Sequence, residues 1–223
     1  MTPAGRGRPG PRRALTEDEI LDAALALLDE AGPAGASIRG IAAKVGVAPN
    51  AVYTYFPDKA AVVRALVEKL LGDADHGVFA DRDRPWRERI EALAIDLRER
   101  LVAHPGAAAL LMSGPMDGPR ATAIGEQLQE LLIGAGLAPT AAARSTYLLI
   151  VYVLGSIALE VADESEPGPL PSEAARIDSR RRVFEQIPAE VFPRSAAAAR
   201  TMATYVSTDQ YLWGLRRILD GIS

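Results

Sequence analysis

The chain contains 223 residues, of which 48% are hydrophobic, and it has no cysteine. This length is enough to bury a sizeable hydrophobic core, and the absence of cysteine excludes disulfide bonds and thiolate metal sites. Since we find no run of 18 apolar residues and no apolar N-terminal segment, we expect no membrane span and no signal peptide, and we place the protein in the cytoplasm.

The net charge of −4 is distributed unevenly along the chain. Residues 1–14 carry four arginines and no acidic residue, so the rest of the chain is strongly acidic. We predict a disordered basic arm that attracts DNA phosphates, because this attraction depends on local charge. Its Arg-Gly-Arg-Pro sequence is similar to the core of an AT-hook, which places arginines in narrow A·T minor grooves. A disordered segment that only improves solubility is the alternative. The arginines concerned are Arg6, Arg8, Arg12 and Arg13.

The first predicted helix begins after Thr16, which forms a Thr-x-x-Glu capping box with Glu19. Apolar residues then recur at helical spacing until Gly32 and Pro33 end the helix. These apolar residues are Ile20, Ala24, Leu27, Leu28 and Ala31.

Residues 37–59 have the pattern of a helix-turn-helix motif. Gly46 follows the first short helix and allows the backbone to turn. Pro49 suits the first turn of the second helix, in which Val52 and Phe56 face one core. The second helix of such a motif lies in the major groove of DNA. The apolar stripe of the first helix comprises Ile38, Ile41, Ala42 and Val45.

At these positions the sequence resembles the tetracycline-repressor (TetR) family of bacterial transcription regulators. One departure is Ala48, where many members carry a Ser or Thr N-cap. The resemblance implies an all-α fold, with a three-helix helix-turn-helix DNA-binding domain (15–60) before a larger helical effector-binding and dimerisation domain (61–223). The residues that match the family pattern are Ser37, Arg39, Ile41, Ala42, Gly46, Val47, Tyr53, Tyr55, Phe56, Asp58 and Lys59.

The resemblance also implies roles in DNA binding. We expect Arg39 to reach a guanine edge or a phosphate, and Asn50 to pair with adenine. Ala51 and Thr54 are expected to touch thymine methyl groups, whereas the tyrosines and Lys59 anchor phosphates. For Tyr55, packing in the core is an equally weighted alternative. The full candidate set is Ser37, Arg39, Pro49, Asn50, Ala51, Tyr53, Thr54, Tyr55 and Lys59.

Beyond residue 59 the sequence predicts helices almost throughout. Residues 163–172 are rich in proline, glycine and acidic residues and predict a flexible loop. The segments 147–159 and 211–219 are so apolar that each lies either in the core or in an interface. The predicted helices span residues 58–71, 86–103, 120–134, 140–162, 173–187, 195–205 and 209–219.

The second half resembles the C-terminal effector domain of tetracycline repressors. In that family the eighth and last helices pair with their counterparts as a four-helix interface. The resemblance therefore implies a homodimer that binds a palindromic operator, with half-sites about one helical turn (~34–36 Å) apart, and is released by a small molecule. The matching residues are Trp86, His104, Pro105, Gly106, Pro115, Gln127, Leu128, Leu154, Gly155, Glu160, Gly214 and Leu215.

The residues with which tetracycline repressors hold drug-chelated Mg²⁺ are replaced in this chain. Leu110 and Gly114 stand where that pocket has a His and an Arg, and a second His position falls near Val151 or Tyr152. We therefore expect no metal, no cofactor and no Mg–tetracycline binding, but a hydrophobic or aromatic effector. The candidate pocket residues, each also compatible with the core, are His104, Leu110, Met112, Met116, Gln127, Tyr147, Val151, Tyr152 and Glu160.

Other classes of protein fit the sequence less well. The chain has two histidines, no cysteine and no phosphate-binding loop after a strand, and so offers few candidate catalytic residues. We therefore do not expect the protein to be an enzyme. A ligand-independent architectural DNA-binding protein is the main alternative. A membrane-surface protein would need a basic amphipathic helix, and the basic arm lacks apolar anchors. A repressor rather than an activator follows only from the family resemblance.

Overall fold

The computed structural model describes residues 15–113, 116–162 and 168–222, and every regular element in these ranges is helical. The predicted all-α fold is therefore confirmed. The predictions for the basic arm, for Gly114 and Pro115 and for residues 163–167 lie outside the described residues, as does the side chain of Met112. The arm residues concerned are Arg6, Arg8, Arg12 and Arg13.

The described residues form twelve α-helices, with short 3₁₀ turns at His76–Phe79 and Thr204–Val206. Their bounds are α1 (Glu17–Gly35), α2 (Ile38–Lys44), α3 (Pro49–Tyr53), α4 (Lys59–Gly72), α5 (Trp86–Ala103), α6 (Pro105–Ser113), α7 (Pro119–Gly134), α8 (Pro139–Ala162), α9 (Glu173–Phe184), α10 (Pro193–Ala197), α11 (Ala199–Ala203) and α12 (Thr208–Gly221).

Most predicted helices agree with these bounds, although α1 continues past a kink at Gly32 to Gly35 and α3 ends at Tyr53, before Phe56. Two further differences have a physical cause. The helix predicted over 195–205 is divided into α10 and α11 at Ala198, whose ψ of 1° is not helical. The short apolar segment after His104 forms α6, because Pro105 occupies its first position, where no backbone N–H is needed.

The head, which we define as residues 15–60, is organised by local signals in its sequence. Thr16 and Glu19 form the predicted capping box at the start of α1. The side chains of Ser37 and Asp58 cap α2 and α4, whereas Ala48 leaves α3 without a side-chain cap. The turn between α2 and α3 uses the positive φ of 74° at Gly46, which glycine adopts without a steric penalty. The largest fully buried side chains of the head are Ile20, Ile41 and Val52.

The body, residues 61–223, surrounds a core built mainly by α4 to α8 and α12. Helix α8 packs against α5, α6, α7 and α12, and so lies at the centre of the body. The head and the body share one continuous hydrophobic core, because α1 packs on α6 and α4 passes from one to the other. The fully buried body residues include Leu101, Leu111, Leu132, Leu149, Ile157 and Leu215.

Helix α8 is long and apolar enough to pass a test for membrane spans, although we expected no such segment from the sequence. By length and composition alone it could cross a membrane, although a core helix of a soluble protein meets the same test. One third of its most apolar window is buried inside the body, and Glu160 near its end is buried among arginines. Its outward face remains apolar, which makes this face a candidate interface.

Candidate nucleic-acid interface and internal cavity

Helix α3 has one buried side and one exposed side, as the helix-turn-helix pattern predicts. Val52 and the following Phe56 are buried in the head, whereas Asn50 and Tyr53 are exposed. Pro49 and Thr54 are also exposed, and Ala51 is half-buried. This arrangement leaves the amide of Asn50 and the ring of Tyr53 available to a partner.

Two candidate cations of this region are exposed: Arg39 on α2 and Lys59 at the start of α4. Lys44 and Lys69, which are not among the candidates, form ion pairs. Lys44 Nζ lies 2.6 Å from Glu30 Oε1, and Lys69 Nζ lies 3.2 Å from Asp18 Oδ1.

Three candidate DNA-binding residues also stabilise the local structure. The hydroxyl of Ser37 accepts the Gly40 N–H at 3.1 Å, and that of Thr54 donates to the Asn50 carbonyl at 3.2 Å. The half-buried Tyr55 donates its hydroxyl to the carbonyl of Leu15. Tyr55 thus joins the end of the recognition helix to the residue that directly follows the basic arm, in keeping with its predicted alternative of packing.

The body encloses an apolar cavity between α4, α5, α7 and α8. The cavity measures about 70 Å³, and within the described part of the chain no aromatic ring or polar side chain lines it. Its walls are therefore suited to aliphatic contacts without a hydrogen-bonding partner. The lining residues are Leu71, Ala74, Ile90, Leu93, Ala94, Leu97, Met116, Ala121, Ile124, Leu128, Leu149, Ile150, Val153 and Leu154.

Of the predicted pocket residues, Met116 lines this cavity, and several others lie elsewhere. Tyr147 and Val151 are exposed on the outward face of α8 and do not line this cavity. Tyr152 donates its hydroxyl to the Tyr211 carbonyl at 2.8 Å and stacks on the Tyr211 ring. Burial raises the pKa of both tyrosines, so each remains a neutral hydrogen-bond donor.

Three further predicted pocket residues lie outside the walls of this cavity. Leu110 lines a second, smaller cavity of about 50 Å³ beside α1, α2 and α4. His104 Nδ1 lies 2.8 Å from Asp29 Oδ2 at the junction of head and body. Gln127 has a buried Oε1 that accepts no hydrogen bond from the residues that the structure describes.

Glu160, which the sequence predicts as a polar handle for an effector, is engaged by two buried arginines. Arg98 donates to both carboxylate oxygens of Glu160, at 2.8 and 2.7 Å, and Arg176 Nη1 donates to Oε1 at 2.8 Å. Glu160 is only 5% exposed and does not line the apolar cavity. Its charge therefore stabilises the contact between α5, α8 and α9.

Glu173 and Thr208 extend this ionic cluster towards α12. Arg98 Nη1 donates to Thr208 Oγ1 at 2.8 Å, and Thr208 donates its hydroxyl to Glu173 Oε2 at 2.7 Å. Burial raises the pKa of Glu173, but the hydrogen bonds from Thr208 and Arg98 outweigh burial and hold that pKa below its ordinary value.

The sequence reading missed the cavity and the ionic cluster for different reasons. The cavity residues on α4, α5 and α7 have the same helical spacing as any core residue, so periodicity could not single them out. Arg98, however, lies on the same face of α5 as Ala94 and Leu101, and a charge on an apolar face was a readable signal. In the described part of the chain, no group of three or more His, Asp or Glu side chains could hold a metal ion.

The fold and its exposed recognition helix define a helix-turn-helix DNA-binding protein. Residues 20–66 match the family model described as "Bacterial regulatory proteins, tetR family", and residues 80–223 match "Tetracyclin repressor-like, C-terminal domain". The chain therefore belongs to the TetR family of transcriptional regulators.

Two characterised relatives agree with this assignment. An HTH-type transcriptional regulator of Saccharopolyspora erythraea is 31% identical over 146 residues, which cover 66% of this chain and 61% of that protein. The chain thus spans less than two thirds of this relative. The HTH-type transcriptional repressor DrrR1 of Streptomyces coeruleorubidus is 25% identical over 214 residues, covering 96% of this chain and 79% of that repressor.

Solved structures share the whole fold. A possible TetR family transcriptional regulator of Streptomyces coelicolor A3(2) superposes with a TM-score of 0.77 at 28% identity, covering 93% and 98% of the two chains. Streptomyces coelicolor ActR in complex with (S)-DNPA gives 0.75 at 21% identity, with 94% and 98% covered. BioQ with its double-stranded DNA operator gives 0.64 at 23% identity, with 93% and 98% covered.

Proposed function

We propose that this TetR-family regulator is a homodimeric repressor that acts in the cytoplasm, binds a palindromic operator and is released by a small hydrophobic effector. The observation that carries the proposal is the division of α3, which buries Val52 and exposes Asn50 and Tyr53. The proposed domains are the basic arm (1–14), the DNA-binding head (15–60) and the effector-binding and dimerisation body (61–223).

DNA binding is proposed to combine base contacts and phosphate contacts. The exposed amide of Asn50 suits bidentate pairing with adenine, and Arg39 suits a guanine edge or a phosphate. Tyr53 and Lys59 are proposed to contact phosphates, and such contacts position the head without reading sequence. The DrrR1 relative is a transcriptional repressor, and BioQ was solved with its operator.

Selection from a random-sequence DNA library tests this part of the proposal. Full-length protein should enrich paired, inverted half-sites, and quantitative footprinting should show two protected major grooves about one helical turn apart. Enrichment of single half-sites, or of A·T-rich DNA without a motif, would instead indicate the architectural alternative.

The outward face of α8 is the proposed dimer interface. Tyr147 and Leu159 are 71% and 76% exposed, and Trp213 on α12 is 60% exposed. Tyr147, Val151, Gly155 and Leu159 recur every four residues and form one stripe. A Cβ added at Gly155 would meet no atom of the chain, so this stripe faces away from its own core.

A Gly155→Leu variant tests the interface, because the open space around Gly155 lets the monomer accept the added side chain. We expect wild-type protein to be a dimer by multi-angle light scattering. The dissociation constant of the variant dimer should be at least about tenfold higher than that of the wild-type dimer. Gly125→Leu is the matched control, since a Cβ at Gly125 on α7 also meets nothing. Equal dimer stability in all three proteins would refute this interface.

Effector binding is proposed to open the apolar cavity. The cavity of about 70 Å³ is smaller than the roughly 300–1,000 Å³ typical of ligand pockets. A larger ligand must therefore separate the surrounding helices, among them α4, which carries Leu71 in the cavity wall and Lys59 beside the DNA-binding surface. Since binding energies are linked, operator DNA must weaken effector binding by the same factor.

A thermal-shift comparison of n-alkanols with planar aromatic compounds tests the chemistry of the cavity. We expect the alkanols to raise the melting temperature and to lower operator affinity, because the lining is entirely aliphatic. The variant Leu93→Glu should abolish both effects, whereas Val183→Glu, at an exposed position of α9 away from the cavity, should leave the thermal shift intact. Magnesium with tetracycline should give no heat of binding in calorimetry; tight Mg²⁺-dependent binding would contradict the predicted loss of that site.

A further inference from the structure

Helices α6 and α7 both begin with proline, and neither supplies its own side-chain acceptor to its first turn. Pro105 and Pro119 occupy the first positions of these helices, and Gly118 precedes the second. The first N–H groups of a helix have no partner within that helix and need an acceptor from elsewhere. In this chain the acceptor comes in each case from an earlier helix.

The acceptor for α6 is Asp29 of α1. Its Oδ1 accepts the N–H of Gly106 at 3.3 Å, while its Oδ2 lies 2.8 Å from His104 Nδ1. Gly106 also brings α6 against the backbone of α1, since a Cβ at this residue would lie 2.4 Å from the Leu28 carbonyl oxygen. One carboxylate of the head therefore caps a helix of the body.

The acceptor for α7 is Glu68 of α4. Its Oε2 accepts the N–H of Arg120 at 2.8 Å. Gly118 leaves room for this carboxylate, because a Cβ there would lie 2.0 Å from Glu68 Oε1. The Arg120 side chain in turn lies against Gly72 at the end of α4. A second carboxylate therefore joins α7 to the helix that leads out of the head.

We infer that Asp29 and Glu68 are positioning residues that fix the orientation of the DNA-binding head on the body. A negative charge at a helix N-terminus is favoured by the unpaired N–H groups and by the helix dipole, so each contact resists separation of its two helices. Because the contacts join different pairs of helices, α1 to α6 and α4 to α7, together they restrain rotation as well as distance.

This inference rests on the proposed function, because head orientation sets the distance between the two recognition helices of a dimer. With fixed heads the dimer accepts one spacing between half-sites, and with loosened heads it accepts several. The sequence read within each half-site depends on contacts made inside each head and should not change.

The experiment compares spacing preferences in a DNA library that holds two fixed inverted half-sites separated by every spacer length from two to ten base pairs. The half-sites are those selected by wild-type protein. We expect wild-type protein to enrich one spacing, and Asp29→Ala and Glu68→Ala each to lower the ratio of best to next-best spacing by about fivefold, the effect of losing one helix cap. The double variant should lower this ratio further.

Matched controls separate positioning from general loss of stability. Glu30→Ala removes the neighbouring charge of α1, whose partner Lys44 lies within the head, and Glu130→Ala removes an exposed charge from α7. Both controls should keep the wild-type spacing. Glu68→Asp, which retains a carboxylate, should restore part of the preference. A variant that merely destabilises the fold would reduce binding to all spacings alike, and this result would overturn the inference.

The outcomes also separate this inference from the proposed function. Failure of wild-type protein to enrich paired half-sites would refute the proposed dimeric operator binding. A sharp spacing preference that persists in the double variant would refute the positioning role alone.

Discussion

The head and the body of this molecule differ in how far apart in the sequence the residues that determine their structures lie. In the head, short-range signals such as the Thr16–Glu19 capping box, the turn at Gly46 and the cap at Asp58 define each helix within a few residues. In the body, the cavity and the ionic cluster assemble residues from four or more helices. Motifs therefore identify the class of protein from the head, whereas the chemistry of the body depends on tertiary packing.

The largest expected effect is on the ionic cluster of the body. Arg98→Ala leaves the buried Glu160 with one of its two arginines, and we expect a loss of about 3–5 kcal/mol in the free energy of unfolding. Urea denaturation measures it. Arg216→Ala, which breaks the surface pair with Glu91, is the control and should leave the free energy of unfolding nearly unchanged. Similar losses in the two variants would contradict the structural importance of the buried cluster.

The next effect concerns base reading by the head. Asn50→Ala should relax the preference for one base pair by about 1–3 kcal/mol, because only this side chain is proposed to read it. Lys59→Ala should weaken binding to all sequences alike, since phosphate contacts carry no sequence information. Competition binding against a set of single-base operator variants measures both. A base-specific loss in Lys59→Ala, or a uniform loss in Asn50→Ala, would reverse the two assignments.

The sequence alone predicts the DNA-binding surface of the head better than it predicts the interior of the body. The exposed side of α3 follows from the spacing of Val52 and Phe56, and the structure shows the same division. The pocket predictions relied on positions carried over from the family, and most of these residues do not line the apolar cavity. Tyr147 and Val151 point outwards, and Glu160 is neutralised by Arg98 and Arg176. No local pattern distinguishes a side chain that lines a cavity from one that fills a core.

A smaller effect is expected for the basic arm. Deletion of residues 1–13 should lower operator affinity about tenfold at physiological salt, and the dependence of log affinity on log salt should become shallower by about 0.9 for each arginine that contacts a phosphate. Fluorescence anisotropy at several salt concentrations measures both. A variant with lysine at all four arginine positions keeps the charge and should lose affinity only on A·T-rich flanks. Unchanged affinity after deletion would show that the arm is only a solubilising segment.

The smallest expected effect is a loss of stability in acid. The pKa values of Asp96 and Glu173 lie below their ordinary values: burial raises both, but hydrogen bonds from Arg100 and from Thr208 outweigh it. At pH values above about 4, the ordinary pKa of a carboxyl group, each lowered pKa stabilises the folded state. This stabilisation is lost as the pH falls through the pKa of the folded state. Urea denaturation between pH 7 and pH 3 should show this loss. In Glu173→Gln the dependence should be weaker; an identical profile would exclude Glu173 as a cause.

The pairing of Glu160 with two arginines has a consequence for any attempt to engineer a tetracycline sensor from this fold. Placing a histidine at position 110 would not by itself create one, because the Glu160 carboxylate is engaged by Arg98 and Arg176. Releasing this carboxylate would require removal of two buried arginines and repacking of α5, α8 and α9. A ligand-binding group gained at Glu160 would therefore destabilise the contact between these three helices.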